Sequence, residues 1–157
     1  MNVLAETEGR IYGAITINVP DDFASPFPGM LVFCMIWDHD GRFTEAQRAV
    51  VAKGLLQAGC RYAVCGGQNC EAWHDAVDAE FVQQHTDDPD EIREAVHVMT
   101  TWHADENADE VAFFFVRNTN FDDHDFVCYL VLHVGDGRTK EEVDAAVRKY
   151  ALDRDAV

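Results

Sequence analysis

Basic residues are scarce in this sequence. Its 157 residues include 12 lysines and arginines against 29 aspartates and glutamates, which gives a formal net charge of −17. Proteins that bind nucleic acids present a basic face to the phosphates, so this charge balance excludes nucleic acid as a partner. Three interpretations of the acidic surface remain open: ordinary solvation, adaptation to high salt, and electrostatic attraction of a basic protein partner.

Long apolar runs and a secretory leader are also absent. A membrane-spanning helix needs about 20 consecutive apolar residues, whereas the run from Met30 to Trp37 ends at Asp38. Residues 1–10 are acidic and lack the basic start and apolar segment of a signal peptide. The five cysteines are an odd number, which favours reduced thiols in the core over a disulfide framework. We therefore expect a cytoplasmic protein without a membrane segment.

The sequence has no internal repeat, low-complexity tract or linker, so a chain of this length is expected to form one domain over residues 1–157. Apolar runs that end at glycine, proline or polar residues indicate its strands. The expected strands are 10–19, 30–37, 62–65, 96–101 and 126–134. The first alternates between apolar and polar residues, which is typical of a half-exposed edge strand, and the second is apolar throughout, as in a central strand.

Helical patterns follow four of these strands. Thr44 with Gln47 forms a capping box at the start of one helix. Thr139 with Glu142 forms another at the start of the last helix. Strands that alternate with helices predict an α/β fold. We expect a mostly parallel sheet of about five strands with helices on both faces, Rossmann-like or flavodoxin-like, with the N-terminal strand at an edge.

The segment 111–116 is ambiguous, because its residues suit a helix or a strand. Asn107 and Glu110 have the spacing of a helix cap, and the acidic residues around them suit a helix N-terminus by their charge. We therefore favour a helix here.

The loops that follow the strands are expected to lie together, because the carboxyl ends of parallel strands share one edge of the sheet, where ligands bind. We call this edge the rim. Gly66 and Gly67 make a turn into a helix there, but the third glycine of a dinucleotide-binding loop is missing. The candidate ligand-binding residues of the rim are Arg42, Gly66, Gly67, Asn69, Thr100, Thr101, His103 and Arg138.

The segment 38–41 reads DHDG after an apolar strand, and it resembles the first motif of the haloacid-dehalogenase-like phosphohydrolases. The resemblance implies that Asp38 is a nucleophile and Asp40 a general acid/base. Asp136 follows the last strand as the acidic magnesium motif of that family does, so the resemblance implies a Mg²⁺ site made by Asp38 and Asp136. The sequence departs from the family pattern at Arg42, where a threonine is usual.

Cysteine and histidine offer two further interpretations. Cys70 falls in the first turn of a helix with His74 one turn later, which suits a Cys-His nucleophile as well as a packed helix-start cysteine. A metal site of Cys65, Cys70, His74 and His103 is also considered, although its spacing is not that of structural zinc. The remaining histidines fit no pattern and are expected on the surface or in strands: His85, His97, His124 and His133.

In composition the chain resembles bacterial immunity proteins, which are small, cytoplasmic and often acidic. The resemblance implies a non-catalytic domain that binds a protein partner, without a cofactor, and the charge suits a basic partner. Trp102 is the expected aromatic anchor of the contact surface. The acidic residues expected around it are Asp105, Glu106, Asp109 and Glu110, for which helix capping is the alternative role.

The second functional hypothesis is a magnesium-dependent phosphohydrolase-like enzyme, or a sensor of a nucleotide or another phosphate ligand, that uses the rim. The charge of the chain opposes close self-association. We therefore expect a monomer, or a homodimer that forms through an apolar edge strand.

Overall fold

The computed structural model describes residues 1–117 and 125–153. In this part of the chain the strands are β1 (Asn2–Thr7), β2 (Arg10–Ile17), β3 (Val32–Asp38), β4 (Cys60–Gly67), β5 (Met99–Trp102) and β6 (Cys128–Val134). The α-helices are α1 (Glu45–Gln57), α2 (Cys70–Gln84), α3 (Asp90–Ala95), α4 (Ala108–Arg117) and α5 (Lys140–Leu152). None of these helices is long and apolar enough to cross a membrane.

The strands form one sheet in the order β1-β2-β6-β3-β4-β5. Only β1 runs antiparallel to its neighbour, and the pairs that β6, β3, β4 and β5 make are parallel. The sheet is therefore mostly parallel α/β, as predicted, with six strands where about five were expected. The N-terminal strand does lie at an edge, but it is β1, which the sequence analysis missed. The strand predicted at the edge is β2, and it lies one place further in.

The helices cover both faces of the sheet. Alternate side chains of β3 point to opposite faces: Phe33 and Met35 pack against α4 and α5, whereas Cys34 and Ile36 pack against α1 and α2. These side chains are fully buried, and burial of a large apolar side chain stabilises a fold by about 1.5–3 kcal/mol. Helix α2 buries Trp73 and Val77 against the sheet.

Two of the three predicted helix caps form. Thr44 and Gln47 exchange hydrogen bonds at the start of α1, and Asn107 and Glu110 do the same before α4. The ambiguous segment 111–116 is therefore part of a helix, as favoured. The third prediction was wrong, because the side chain of Thr139 makes no cap hydrogen bond at the start of α5.

The order of the strands changes direction between β3 and β6. After β3 the chain continues through α1 on one face, and after β6 it continues through α5 on the other face. In open α/β sheets, the crevice at the carboxyl ends of two such strands is the usual place for a ligand. The residues that end β3 and β6 are therefore the first to consider as a site.

Candidate functional site

The predicted rim exists, and the site residues named from the sequence divide into two groups along it. Those after β3 and β6 surround the crevice: Asp38, Asp40, Arg42, Asp136 and Arg138. Those after β4 and β5 lie towards the sheet edge: Gly66, Gly67, Asn69, Thr100, Thr101 and His103. The Asn69 side chain donates a hydrogen bond to the Gly41 carbonyl at 3.3 Å, which joins the loops after β3 and β4.

Asp38 is held as a buried turn-forming carboxylate. It is 1% exposed, and its Oδ2 accepts a 2.8 Å hydrogen bond from Trp73 Nε1. Its Oδ1 accepts bonds from the backbone N–H groups of Gly41 at 2.9 Å and of Asp40 at 3.3 Å. Both oxygens are therefore occupied by donors of the protein itself, and this arrangement fixes the turn after β3.

The rim residues do not fit the magnesium site that the phosphohydrolase resemblance implies. Asp38 is buried with both oxygens hydrogen-bonded, whereas Asp136 is exposed. Magnesium needs several oxygen ligands arranged around one point. Within residues 1–117 and 125–153, no group of three or more histidine, cysteine, aspartate or glutamate side chains is arranged to hold a metal ion.

A cavity of about 260 Å³ opens at the crevice. It is lined by Asn18, Asp40, Arg42, Phe43, Gly135 and Asp136. Gly135 has a φ of +76°, and a Cβ there would lie 2.4 Å from the Asp40 carboxylate, so only glycine lets the loop after β6 approach Asp40 this closely. Among the predicted site residues, Asp40, Arg42 and Asp136 do come together.

The sequence analysis missed a series of hydrogen bonds on the α5 side of this crevice, which we call the buried relay: Thr139, His39, His133 and Asp144. His39 Nε2 lies 2.8 Å from His133 Nδ1, and His133 Nε2 lies 2.7 Å from Asp144 Oδ1. His39 Nδ1 lies 3.2 Å from the Thr139 hydroxyl. His133, expected on the surface or in an ordinary strand position, is in fact 0% exposed.

The hydrogen bonds of the buried relay have a direction. With Asp144 ionised and His133 neutral, His133 donates from Nε2 to Asp144 and accepts at Nδ1. His39 then donates from Nε2, which leaves its Nδ1 to accept the proton of the Thr139 hydroxyl. Burial, with the nearby His133 and Lys140, lowers the pKa of His39 from 6.5 to about 4, against the opposite effects of Asp40 and Asp144. His39 is therefore neutral at pH 7.

A second series of the same side-chain types lies at the end of β5, and we call it the edge relay: Thr101, His103 and Glu106. His103 Nε2 lies 3.0 Å from the Thr101 hydroxyl, and His103 Nδ1 lies 2.7 Å from Glu106 Oε2. The ring of Phe114 packs on the imidazole with 4.6 Å between ring centroids. The sequence analysis named all three relay residues, but it assigned Glu106 to a partner surface and the other two to a ligand.

The other predicted residues of β5 contact α2. Thr100 donates a 2.7 Å hydrogen bond to Asp78, and the Trp102 ring lies 4.5 Å from the ring of His74. Trp102 is still 45% exposed, and Met99 on the same strand is 39% exposed. The α2 side of β5 thus combines an exposed aromatic ring with carboxylates.

The predicted acidic surface is partly engaged within the protein. Asp109 accepts hydrogen bonds from the Tyr150 hydroxyl at 2.6 Å and from Lys149 at 3.2 Å, and the bond from Tyr150 is the main cause of a lowered pKa of Asp109. Glu110 caps α4. Asp105 is exposed, with a left-handed backbone at φ 61°. The alternative role of helix capping thus applies to Glu110, and Asp105 has its side chain in solvent.

The cysteines are all unpaired and buried. Burial raises the pKa of the Cys65 thiol well above its usual value, so Cys65 stays protonated. Cys70 is 6% exposed beneath the turn at the start of α2, which matches the packed cysteine interpretation. Cys65, Cys70, His74 and His103 are not arranged as a metal site among the described residues. His124 lies outside the described residues.

Two signals in the sequence point to the buried relay in hindsight. His133 interrupts the otherwise apolar strand CYLVLHV. Asp144 lies on the apolar face of α5 together with Val143 and Val147, and it is 3% exposed. A buried charged side chain is expensive unless it has a hydrogen-bonding partner. Each position therefore indicates an internal polar partner, although neither identifies the other as that partner.

Comparison with known proteins gives a family without a function. A family model described as a domain of unknown function, DUF7684, matches residues 15–150, so the chain belongs to this family. No curated protein and no solved structure matches the chain.

Proposed function

We propose that this member of the DUF7684 family is a binding domain for a basic protein segment, and that the open edge of β5 is its docking surface, at which no reaction is catalysed. The observation that carries the proposal is the exposure of Met99 (39%) and Trp102 (45%) on a strand that pairs only with β4 among the described residues. Edge strands of most proteins are kept free of such apolar side chains.

The geometry of β5 suits an extended occupant. An edge strand has a row of backbone N–H and C=O groups to which another extended segment can add, while side-chain pockets supply specificity. Tryptophan is enriched among the residues that contribute most binding energy at protein interfaces. Trp102, whose ring contacts that of His74 at a tilt of 60°, supplies such an anchor at the carboxyl end of β5.

Charge supports a basic occupant. Asp105 and Glu106 follow β5 directly, and on α2 the side chains of Asp75 and Asp78 are 69% and 48% exposed beside His74. Together with the net charge of −17, these carboxylates would attract a lysine- and arginine-rich segment and speed its association. The unpaired cysteines support action in the cytoplasm, where thiols stay reduced.

The proposal is tested with a synthetic peptide of alternating lysine and valine, labelled with a fluorophore and titrated with the protein. Fluorescence anisotropy should show saturable binding that weakens as salt is raised, because the attraction is screened. Trp102→Ala should weaken binding about tenfold or more, as expected for an interface anchor.

The matched control is Val3→Ala on β1, the strand at the opposite edge of the sheet, where Val3 is 44% exposed. Val3→Ala should leave the affinity unchanged, and a peptide with glutamate in place of lysine should not bind. Equal losses for Val3→Ala and Trp102→Ala, or binding of the glutamate peptide, would refute docking at β5. Light scattering on the free protein should give a monomer, and a dimer lost in Trp102→Ala would mean that a second copy occupies the edge.

The cavity at the crevice supports a second candidate, a sensor of a small phosphate ligand at the rim. Arg42 lines this cavity and its side chain is 85% exposed, so it is available to a ligand phosphate. A panel of phosphate esters, with and without magnesium, should raise the melting temperature if this candidate is correct. Arg42→Gln should abolish that rise, and no rise with any ester would exclude the candidate.

A further inference from the structure

The buried relay carries an inference that is independent of docking at β5. We propose that the Thr139 hydroxyl is a nucleophile towards a small uncharged ester, and that His39 is its general base, with His133 and Asp144 as positioning residues. Three features support this role. They are the direction of the hydrogen bonds, the transfer of positive charge from His39 to His133, and the difference between Thr139 and Thr44, which both precede a helix.

The direction of the hydrogen bonds leaves one acceptor at the surface. With Asp144 ionised and both histidines neutral, each ring nitrogen of His133 and His39 has one role, and the acceptor that remains is His39 Nδ1. This nitrogen lies 3.2 Å from the Thr139 hydroxyl, which is within reach for proton transfer. Thr139 is exposed, so its oxygen is accessible to a molecule from solution.

The buried relay also moves the positive charge away from the surface. A proton taken from Thr139 by His39 Nδ1 allows His39 to pass its Nε2 proton to His133 Nδ1. The cation then resides on His133, whose Nε2–H already points at Asp144 Oδ1 at 2.7 Å. Attraction between opposite charges is strong at this distance in a buried site, so Asp144 stabilises the state that forms when Thr139 attacks.

Thr44 shows what a threonine at a helix start does without a histidine. Thr44 precedes α1 and its hydroxyl accepts a hydrogen bond from the Gln47 N–H in a complete capping box. Thr139 precedes α5 with the same sequence spacing to Glu142, yet its side chain makes no cap bond. The Thr139 hydroxyl is bonded to His39 instead. Thr44 is therefore a matched internal control for the reactivity of Thr139.

The surroundings favour a small uncharged substrate. A net charge of −17 presents no electrostatic barrier to an uncharged ester at this exposed hydroxyl. In the first step the Thr139 oxygen forms a bond to the acyl carbon, the ester C–O bond breaks, and the alcohol leaves with that electron pair. The Thr139 proton passes to His39 and is returned to the leaving oxygen, so that the alcohol departs neutral. Water later hydrolyses the acyl-threonine to the free acid and restores the Thr139 hydroxyl.

The experiment uses p-nitrophenyl acetate as the probe. Release of p-nitrophenolate is followed by absorbance, and acid-quenched samples are digested and mapped by mass spectrometry. Wild-type protein should release p-nitrophenolate above the buffer rate and carry one acetyl group on Thr139, with none on Thr44. Thr139→Val should lose both signals, and Thr139→Ser, which keeps the hydroxyl, should retain them.

Variants of the buried relay separate a chemical role from a structural one. Asp144→Asn lets the amide donate to His133 Nε2, which reverses each hydrogen bond and places a proton on His39 Nδ1. The acetylation rate should fall about a hundredfold or more, the usual contribution of a general base. His39→Gln should give a similar loss. The pH profile of the remaining reaction should change in both variants, which mere loosening of the fold would not cause.

Folding is checked by near-ultraviolet circular dichroism on every variant. If Asp144→Asn does not fold, Thr139→Val and Thr139→Ser still show whether the Thr139 hydroxyl is the nucleophile, because position 139 is exposed. Release at the wild-type rate by Thr139→Val, or acetylation of Thr44 as fast as of Thr139, would overturn the proposal. Failure of these reactions would leave peptide binding at β5 intact, because Trp102 and Met99 belong to the other side of the sheet.

Discussion

The buried relay and the edge relay use the same side-chain types, a carboxylate, histidine and threonine, in very different settings. In the buried relay the side chains of His133 and Asp144 are 0% and 4% exposed. In the edge relay the side chains of His103 and Glu106 are 8% and 41% exposed. A hydrogen bond to a carboxylate in solvent contributes little to stability, whereas removing one partner of a buried pair leaves a desolvated group without compensation.

The two relays also differ in how the chain builds them. The edge relay lies within six consecutive residues at the end of β5, so it forms wherever that strand and its turn form. The buried relay joins β3, β6 and α5, and its directly bonded members His39 and Thr139 are 100 residues apart. The same hydrogen-bonded set of carboxylate, histidine and threonine can therefore form locally in a loop or depend on the tertiary fold.

The largest expected difference between the two relays follows the removal of the carboxylate of each, Asp144 in one and Glu106 in the other. Asp144→Ala leaves His133 buried without its acceptor, and we expect a loss of about 3 kcal/mol in the free energy of unfolding. Glu106→Ala exposes His103 to water and should lose about 1 kcal/mol or less. Urea denaturation measures both losses in the free energy of unfolding. The dependence of this free energy on urea concentration should be the same in both variants as in the wild type. Equal losses would mean that burial does not distinguish the two relays.

Substitution of Gly137, which is not a member of the buried relay, should disrupt the relay. A Cβ at Gly137 would lie 2.8 Å from His39 Nδ1, so Gly137→Ala should displace the ring and lose about 1–3 kcal/mol, the usual cost of overpacking. The same substitution in a His39→Gly background should be nearly neutral, since both the ring and the His39 Cβ at 2.9 Å are then absent. A loss that persists without His39 would assign the effect to the backbone.

Low pH should reduce the contribution of His39, a member of the buried relay, to the free energy of unfolding. Its pKa is about 4 in the folded protein against 6.5 as the ordinary value, so the unfolded chain binds more protons between these pH values. The contribution of His39 is complete above pH 6.5 and is lost as the pH falls towards 4. Because the ring is partly exposed, we expect about 1–2 kcal/mol.

The measurement is the difference in unfolding free energy between wild type and His39→Gln across this pH range. Carboxylates that titrate in both proteins cancel in the difference. A difference that stays constant from pH 7 to pH 4 would contradict a lowered pKa for His39.

The smallest expected effect compares the two threonines that begin helices. Thr44→Ala removes a working cap and should lose about 1 kcal/mol. Thr139→Ala removes only a hydrogen bond to His39 at the surface and should lose about half as much or less. Thermal unfolding of the two variants at pH 7 gives the comparison. A larger loss at Thr139 would show that it caps α5 after all.

Much of the fold could be predicted because its signals are local. Strands β3 and β6 are apolar except for Asp38 and His133, and Thr44 and Gln47 form the cap that their spacing indicates. The segment 111–116 is helical, as the acidic residues before it suggest. Strand β1 was missed because its six residues, NVLAET, bury only Leu4 and Ala5 and so show little alternation.

The buried relay could not be predicted because nothing near His133 specifies the neighbours of β6. Thr139 and Glu142 have the spacing of a cap, yet the cap does not form, because His39 arrives from β3 and takes the hydroxyl. Asp38 looked like a nucleophile in the sequence, and only the position of Trp73 shows that its carboxylate is occupied. Such contacts depend on the order of strands in the sheet.

That strand order affects how the protein folds during its synthesis on the ribosome. Strand β6 is the last to be synthesised, yet it lies between β2 and β3 and supplies the pairing that joins them. Until residues 128–134 have emerged, the hairpin of β1 and β2 has no bond to the sheet of β3, β4 and β5. The nascent chain must therefore keep two open sheet edges apart until β6 enters between them, which is the stage at which a chaperone would be of most use.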